Sequence, residues 1–148
     1  MNNDELLTGT VYELRCNLDD MTPEDIAFAM DVLLDAGALD VYTVPIGMKK
    51  NRPGTMLCCL CEDGEQERFG RLLLRHTTTL GVRMHPCERM MRTRSVRTAD
   101  TPCGPVRVKE TAGGCKPEYE DLARTAREKE LPSRTVREEI TAYLKENV

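Results

Sequence analysis

The first 91 residues alternate between runs with the apolar spacing of strands and runs with the apolar spacing of helices. Four runs rich in alternating apolar and β-branched residues predict strands: 11–18, 39–46, 55–61 and 82–91. A helical spacing of apolar residues predicts one helix between Thr22 and Gly37 and another at 65–76. The resulting order, βαββαβ, is that of a ferredoxin-like fold, in which one antiparallel sheet carries two helices on a single face.

Local signals support the first helix and the strand after it. Thr22 can cap the helix, Pro23 suits its first position, and the two acids after Pro23 favour the positive end of the helix dipole. Gly37 is expected to end the helix in the left-handed conformation. Pro45 lacks a backbone N–H, so the strand that contains it is predicted to lie at an edge of the sheet.

Beyond residue 91 the pattern changes to a hairpin and two helices. The predicted strands and helices are 94–98, 106–110, 118–129 and 133–146. A flexible link is expected at 111–114, and Ser133 is expected to cap the last helix. We therefore predict an α+β fold with a ferredoxin-like βαββαβ subdomain at 8–91, followed by a β-hairpin and two C-terminal helices at 92–148.

Composition narrows the function classes. The chain of 148 residues is 40% hydrophobic, enough for a packed core, but its formal net charge of −4 lacks the basic footprint of non-specific nucleic-acid binding. It starts with polar and acidic residues rather than a signal peptide, and no apolar run approaches the roughly 20 residues that cross a bilayer. Seven cysteines in no secreted framework indicate free thiols. We expect a soluble, cytoplasmic protein that binds neither nucleic acid nor membrane.

Two charged runs carry the most specific chemical signal. Asp19 and Asp20 follow the first strand, and Lys49, Lys50 and Arg52 lie in the turn between the second and third strands. Carboxylate oxygens suit Mg²⁺ or Mn²⁺, and the three cations suit phosphate oxygens. A fold that joins the two runs would therefore hold a hard metal ion beside a polyphosphate. The alternative is that the acids are ordinary turn residues and the cations a solvated hairpin tip.

Two weaker polar runs could add to such a site. They comprise Thr77, Thr78 and Thr79 at the end of the second helix, and Lys116, Glu118, Glu120 and Asp121 at the start of the third. The threonine hydroxyls could donate hydrogen bonds to phosphate or ribose, although a helix-ending turn would also explain them. The lysine and the free N–H groups of the helix start form a candidate anion site, whereas the acids are common first-turn residues.

Five runs, taken in this order, resemble a known family: 17–24, 34–41, 45–54, 75–83 and 116–121. They are similar to motifs of the LarC family, the nickel-insertion proteins that mature the pincer cofactor of lactate racemase. The order of five motifs is more specific than any single run. The match extends from about Val11 to Tyr143 and looks like the C-terminal domain of a larger protein.

The resemblance implies an activity and the molecules that it requires. Members of the family are CTP-dependent cyclometallases, which insert nickel into pyridinium-3,5-bisthiocarboxylic acid mononucleotide while CTP is hydrolysed with Mg²⁺ or Mn²⁺ present. It further implies that this domain binds CTP, works with an N-terminal domain of the same protein, and forms a homo-oligomer, a trimer or a hexamer. The domain alone is then expected to bind nucleotide without inserting nickel.

The resemblance also implies roles for individual residues, although it assigns no catalytic residue. Four cations would contact the phosphates of CTP: Lys49, Lys50, Arg52 and Lys116. Three hydroxyls would reach the nucleotide: Thr77, Thr78 and Thr79. Asp19 or Asp20 would hold the metal or orient its waters. Three further acids would contact the metal or a neighbouring subunit: Glu118, Glu120 and Asp121. The competing interpretation is a non-catalytic ferredoxin-like module that binds a small molecule and oligomerises; an RNA-binding module is disfavoured because the sheet lacks aromatics for base stacking.

Overall fold

The computed structural model describes residues 6–111 and 114–147. Up to Arg92 the chain forms β1 (Leu6–Leu18), α1 (Pro23–Asp35), β2 (Asp40–Met48), β3 (Arg52–Glu62), α2 (Gln66–His76) and β4 (Arg83–Arg92). The four strands make one sheet in the order β2-β3-β1-β4, which confirms the predicted ferredoxin-like arrangement. Residues Thr8–Met90 form one compact unit; the chain from Met91 onward belongs to a second compact unit, which also includes Leu6 and Leu7.

The register of β3 aligns the ends of its neighbours. β3 pairs antiparallel with both β1 and β2, with Thr55 opposite Leu18 and Arg52 opposite Met48. β1 and β2 therefore end at the side of the sheet where β3 begins. Pro45 lies in β2, an edge strand, as its missing N–H predicted.

The local signals of α1 act as expected. The Thr22 hydroxyl accepts a hydrogen bond from the Asp25 N–H at 3.2 Å, and Pro23 occupies the first helical position. Gly37 follows the helix with a φ of +93°, the left-handed conformation that glycine adopts without steric cost. These signals place the start of α1 at Pro23, three residues beyond the two acids that follow β1.

The core of the first unit lies between the sheet and the two helices. Alternate strand residues share a face, so every second side chain of β1 and β3 points toward the helices. The most deeply buried apolar members of this core are Leu14, Cys16, Ala29, Leu33, Leu57, Cys59, Cys61, Phe69 and Leu73. Removal of these side chains from water is the main favourable contribution to the stability of the unit.

The second unit contains a three-stranded sheet and two helices. Its elements are β5 (Ser95–Thr101), β6 (Gly104–Thr111), β7 (Gly114–Pro117), α3 (Tyr119–Glu128) and α4 (Ser133–Glu146). The sheet order is β5-β6-β7, and its own apolar core joins the strands to the helices through Val106, Val108, Leu122, Val136, Ile140 and Leu144.

Two predictions for this unit need correction. The predicted hairpin is confirmed as β5 and β6, but the sequence missed a third strand, β7, which pairs with β6 and places Lys116 opposite Lys109. The helix predicted from residue 118 starts at Tyr119. Of the predicted link, residues 112–113 lie outside the described residues. Ser133 is not the cap of α4: Pro132 precedes the helix, Ser133 is its first residue, and no side chain caps it. Among the described residues, no helix is both long and apolar enough to span a membrane.

Candidate functional site

The charged runs lie together at one end of the strands of the four-stranded sheet. β1 and β2 end there, and β3 and β4 begin there. The acids that follow β1, the hairpin between β2 and β3, and the segment before β4 are therefore neighbours in space. We call six residues of this region the edge site: Asp19, Asp20, Lys49, Lys50, Arg52 and Thr78.

Asp19 joins the end of β1 to the hairpin. The Arg52 guanidinium donates from Nη1 to Oδ2 of Asp19 over 3.1 Å. The Arg52 side chain is 57% exposed and that of Asp19 is 23% exposed. An ion pair this accessible to water contributes little to stability, so either partner can be drawn to a ligand at small cost.

Asp20 takes a different partner. The Thr78 hydroxyl donates to Oδ1 of Asp20, and the Thr78 N–H lies 3.4 Å from the sulfur of Met21. These contacts hold the segment after α2 against the turn that follows β1. The two adjacent carboxylates are thus fixed by different segments, one by the hairpin and one by the threonine run.

The oxygen donors fit a hard divalent ion. Among the described residues, Asp19 and Asp20 each keep one carboxylate oxygen without a hydrogen-bond partner. Carboxylate and hydroxyl oxygens are the ligands that Mg²⁺ and Mn²⁺ prefer. In the part of the chain that the structure describes, no three His, Cys, Asp or Glu side chains cluster closely enough to hold a metal by themselves. A metal at the edge site would thus share its coordination with water or a ligand.

The hairpin presents its lysines on an unusual backbone. Lys49, Lys50 and Asn51 form a tight turn, in which Lys50 has φ 61° and ψ 27° and Asn51 has φ 57°, both in the left-handed region. A left-handed conformation costs an L-residue other than Asn or Gly roughly 1–2 kcal/mol. Backbone strain of this kind is concentrated at binding sites. Both lysines are exposed, and the turn leads directly into Arg52, the first residue of β3.

Thr77 and Thr79 serve the local turn. The Thr77 hydroxyl donates to the Leu73 carbonyl over 2.7 Å, and that of Thr79 donates to the Gly81 carbonyl over 2.9 Å. The interpretation as a helix-ending turn therefore describes these two residues. Of the three threonines, Thr78 is the one whose hydroxyl contacts a residue of the edge site.

The candidates near α3 belong to the second compact unit, where ion pairs engage the acids. Glu118 lies 2.8 Å from the Lys109 ammonium, and Glu120 lies 3.0 Å from the Arg107 guanidinium. Asp121 accepts from both the backbone N–H of Arg107 at 2.8 Å and its Nε at 3.0 Å. Hydrogen bonds from Arg107 lower the pKa of Asp121. Because Asp121 is buried, these contacts mainly attach α3 to β6.

Lys116 lies in β7 rather than at a helix start. It is exposed and sits opposite Lys109 in the sheet of the second unit. The structure thus divides the predicted site residues: six form the edge site, Thr77 and Thr79 support its neighbouring turn, and the others lie in the second unit.

Arg83 adjoins the edge site, although no role was predicted for it from the sequence. As the first residue of β4, it donates from Nη2 to Oδ1 of Asn17 over 2.9 Å. Its proximity to the site could have been predicted from its place at the end of the run 75–83. A charged residue that begins β4 lies close to the end of β1, because the two strands are neighbours in the sheet.

Comparisons with known proteins agree with this architecture. The model of the nickel insertion protein family matches residues 1–137. The pyridinium-3,5-bisthiocarboxylic acid mononucleotide nickel insertion protein of Acetivibrio thermocellus is 37% identical over 132 residues, which is 86% of this chain and 32% of that protein. The chain thus spans about a third of the length of this curated relative.

Two solved structures share the fold. One is described as LarC2, the C-terminal domain of a cyclometallase involved in the synthesis of the NPN cofactor of lactate racemase, in its apo form. It superposes with a TM-score of 0.85 at 37% identity, covering 92% of this chain and 97% of that one. Protein MK0293 from Methanopyrus kandleri AV19 has a TM-score of 0.67 at 25% identity, covering 97% and 92% of the two chains.

Proposed function

The chain belongs to the nickel insertion protein family, and from that premise we propose that it is the CTP- and divalent-metal-binding domain of a cyclometallase. The complete protein would insert nickel into pyridinium-3,5-bisthiocarboxylic acid mononucleotide, the compound in the name of the Acetivibrio relative. Nickel is then a substrate, distinct from the Mg²⁺ or Mn²⁺ that accompanies CTP. The product would serve the maturation of lactate racemase, as for the protein of the similar LarC2 structure.

The observation that carries this proposal is the junction of acids and cations at the edge site. The Arg52 guanidinium contacts Asp19 across 33 residues of sequence, and Arg52 directly follows the turn that carries Lys49 and Lys50. Cations bind phosphate oxygens by charge-assisted hydrogen bonds, and arginine can offer two parallel N–H groups to one phosphate. The negative charge of a nucleoside triphosphate would balance the positive charge of these exposed cations.

Each residue of the edge site has a role in this proposal. Lys49, Lys50 and Arg52 bind and orient the phosphates of CTP. Asp19 and Asp20 supply oxygen ligands to Mg²⁺ or Mn²⁺, which would neutralise phosphate charge when bound. Thr78 orients Asp20 through the hydrogen bond between them. Lys116, Glu118, Glu120 and Asp121 are left out, because the acids among them are engaged in ion pairs of their own unit.

The proposal also concerns the whole protein. The similar LarC2 structure is a C-terminal domain, and this chain spans about a third of its curated relative. We therefore propose an N-terminal domain of the same protein as partner. From the family resemblance we also propose a homo-oligomer of three or six subunits and a cytoplasmic location. Turnover would require the N-terminal domain, so this chain alone would bind CTP without inserting nickel.

Calorimetric titration of the chain with CTP, ATP, GTP and UTP tests the proposal, first with Mn²⁺ and then with the metal chelated. We expect binding that is selective for CTP and weaker after chelation. The matched control is Arg71→Gln, which removes one arginine from an exposed i,i+4 ion pair with Glu67 on α2. Absence of nucleotide binding, or equal binding by Arg52→Gln and by the wild type, would contradict the proposal and favour a non-catalytic oligomerisation module.

A further inference from the structure

We propose that Arg83 is an additional phosphate-binding residue, which with Arg52 forms a pair of guanidinium groups at the end of β1. This inference rests on the proposed function, because it names a contact for the same nucleotide. Neither the family resemblance nor the sequence pattern assigned Arg83 any role. It follows from where β4 begins in the folded sheet.

The position of the Arg83 side chain is fixed by neutral partners. Its Nη2 donates to Oδ1 of Asn17 over 2.9 Å and lies 3.7 Å from the sulfur of Met56. An amide oxygen and a thioether hold a guanidinium in place without neutralising its charge. In the described part of the chain, Arg83 has no carboxylate partner. It therefore presents a full positive charge at the exposed end of the strand.

Arg52 and Arg83 are both anchored at the end of β1. Arg52 is held by Asp19, and Arg83 by Asn17, two residues earlier in the same chain. Asn17 is the second-last residue of β1, and Asp19 is the first residue after the strand. The two arginines thus approach the end of β1 from its two neighbouring strands, β3 and β4.

This arrangement suits a ligand with several adjacent phosphates. Each guanidinium can offer a planar fork of N–H donors to phosphate oxygens. Among the described residues, Arg52 pairs with the Asp19 carboxylate and Arg83 with the neutral amide of Asn17. A polyphosphate would be bound by both forks, whereas a monophosphate would need only one. We therefore expect the loss of Arg83 to weaken binding of CTP and of inorganic tripolyphosphate more than binding of CMP.

The test compares Arg83→Gln, Arg83→Lys and Arg71→Gln in calorimetric titrations with CTP, CMP and tripolyphosphate at two salt concentrations. The affinity of Arg83→Gln for CTP should fall about tenfold or more, as for the loss of a charged hydrogen bond, with a shallower salt dependence. Arg83→Lys, which retains the charge without the fork, should lie between Arg83→Gln and the wild type. Arg71→Gln should bind like the wild type.

Asn17→Ala distinguishes a binding role of Arg83 from a structural role, because it removes the hydrogen-bond partner of Arg83 and keeps the positive charge of the arginine. If Arg83 only supported the strand end, Asn17→Ala and Arg83→Gln would lose equal affinity with unchanged salt dependence, and the inference would be overturned. Wild-type affinity in Arg83→Gln would overturn it too, while the proposed function would stand. If the wild-type chain bound none of the three ligands, the proposed function and this inference would both fail.

Discussion

The Nη1 atom of Arg52 lies 3.1 Å from Oδ2 of Asp19, although 33 residues separate them in the chain. This contact joins the hairpin between β2 and β3 to the end of β1. Both partners are accessible to water, so an ion pair of this kind contributes at most about 1 kcal/mol to folding. Its main effect is to place opposite charges next to each other at one side of the sheet.

Arg52→Gln and Asp19→Asn should therefore weaken ligand binding while changing the stability of the fold little. We expect each variant to change the free energy of unfolding by less than about 1 kcal/mol, as measured by denaturant titration. Arg52→Gln should weaken CTP binding with or without Mn²⁺, whereas Asp19→Asn should weaken mainly the Mn²⁺-dependent part. An Asp19→Asn variant that binds CTP and Mn²⁺ like the wild type would remove Asp19 from the metal site.

Lys50 offers a test in which stability and binding change in opposite directions. Glycine adopts a φ of 61° without the steric cost that lysine incurs. Lys50→Gly should therefore leave thermal stability unchanged or raise it, by up to about 1 kcal/mol, while CTP affinity falls. Lys50→Asn is the control, because asparagine also tolerates this conformation but retains a polar side chain. A Lys50→Gly variant that melts well below the wild type would show that Lys50 stabilises the turn rather than serving a ligand.

Gly54 is required by close packing behind the hairpin. A Cβ atom at this position would lie 2.9 Å from the Leu18 carbonyl oxygen and 2.6 Å from the Met48 sulfur. Gly54→Ala should destabilise the protein by about 1–3 kcal/mol and shift the end of β1. Gly47, on the neighbouring strand, has no atom within 4 Å of its added Cβ, so Gly47→Ala should have a much smaller effect in the same thermal melts. Equal melting temperatures for the two variants would contradict the packing at Gly54.

The sequence predicted the first unit well because local and periodic signals agree there. The sequence correctly predicted the cap at Thr22, the left-handed conformation of Gly37 and the edge position of Pro45. Each helix or strand of this unit also ends within a few residues of its predicted end. The βαββαβ order then determined which strand ends meet. Consequently the closeness of Asp19 to Arg52 could be anticipated from topology alone.

Features that depend on tertiary partners could not be predicted. β7 is four residues long and carries no periodic pattern, so only its pairing with β6 reveals it. Asp121 resembles an ordinary first-turn acid in sequence, yet it is buried and bound to Arg107. The βαββαβ order places the start of β4 near the end of β1, but the hydrogen bond from Arg83 to Asn17 depends on how the two side chains lie in the folded sheet.

The thiols provide a direct chemical test of the fold. Burial raises the pKa of Cys59 to about 12 and that of Cys61 to about 11, and a buried thiol reacts slowly with alkylating agents. Brief alkylation of the native protein at pH 8, followed by mass spectrometry, should modify Cys87, Cys103 and Cys115, which are partly exposed. The four buried cysteines, which include Cys16 and Cys58, should react only after unfolding. Rapid native modification of Cys59 would be inconsistent with the core.

Asp121 should give the second unit a pH-dependent stability. Arg107 donates hydrogen bonds to this buried carboxylate and lowers its pKa relative to the unfolded chain. A lowered pKa in the folded state contributes stability above the unfolded value of about 3.9, and this contribution is lost as the pH falls toward the folded value. Asp121→Asn should therefore lower the free energy of unfolding at pH 7 by about 1–3 kcal/mol, the cost of weakened hydrogen bonds to a charged group.

The difference between wild type and Asp121→Asn should be constant from pH 7 to about pH 5 and should narrow below about pH 4, where the wild-type carboxylate also becomes protonated. Denaturant unfolding followed by circular dichroism at each pH measures it. Glu120→Gln is the matched control, because Glu120 contacts the same arginine but is 83% exposed, so its loss should change stability little at any pH. A difference that stays constant down to pH 3, or an equal effect of Glu120→Gln, would show that the negative charge of Asp121 is not what stabilises the contact between α3 and β6.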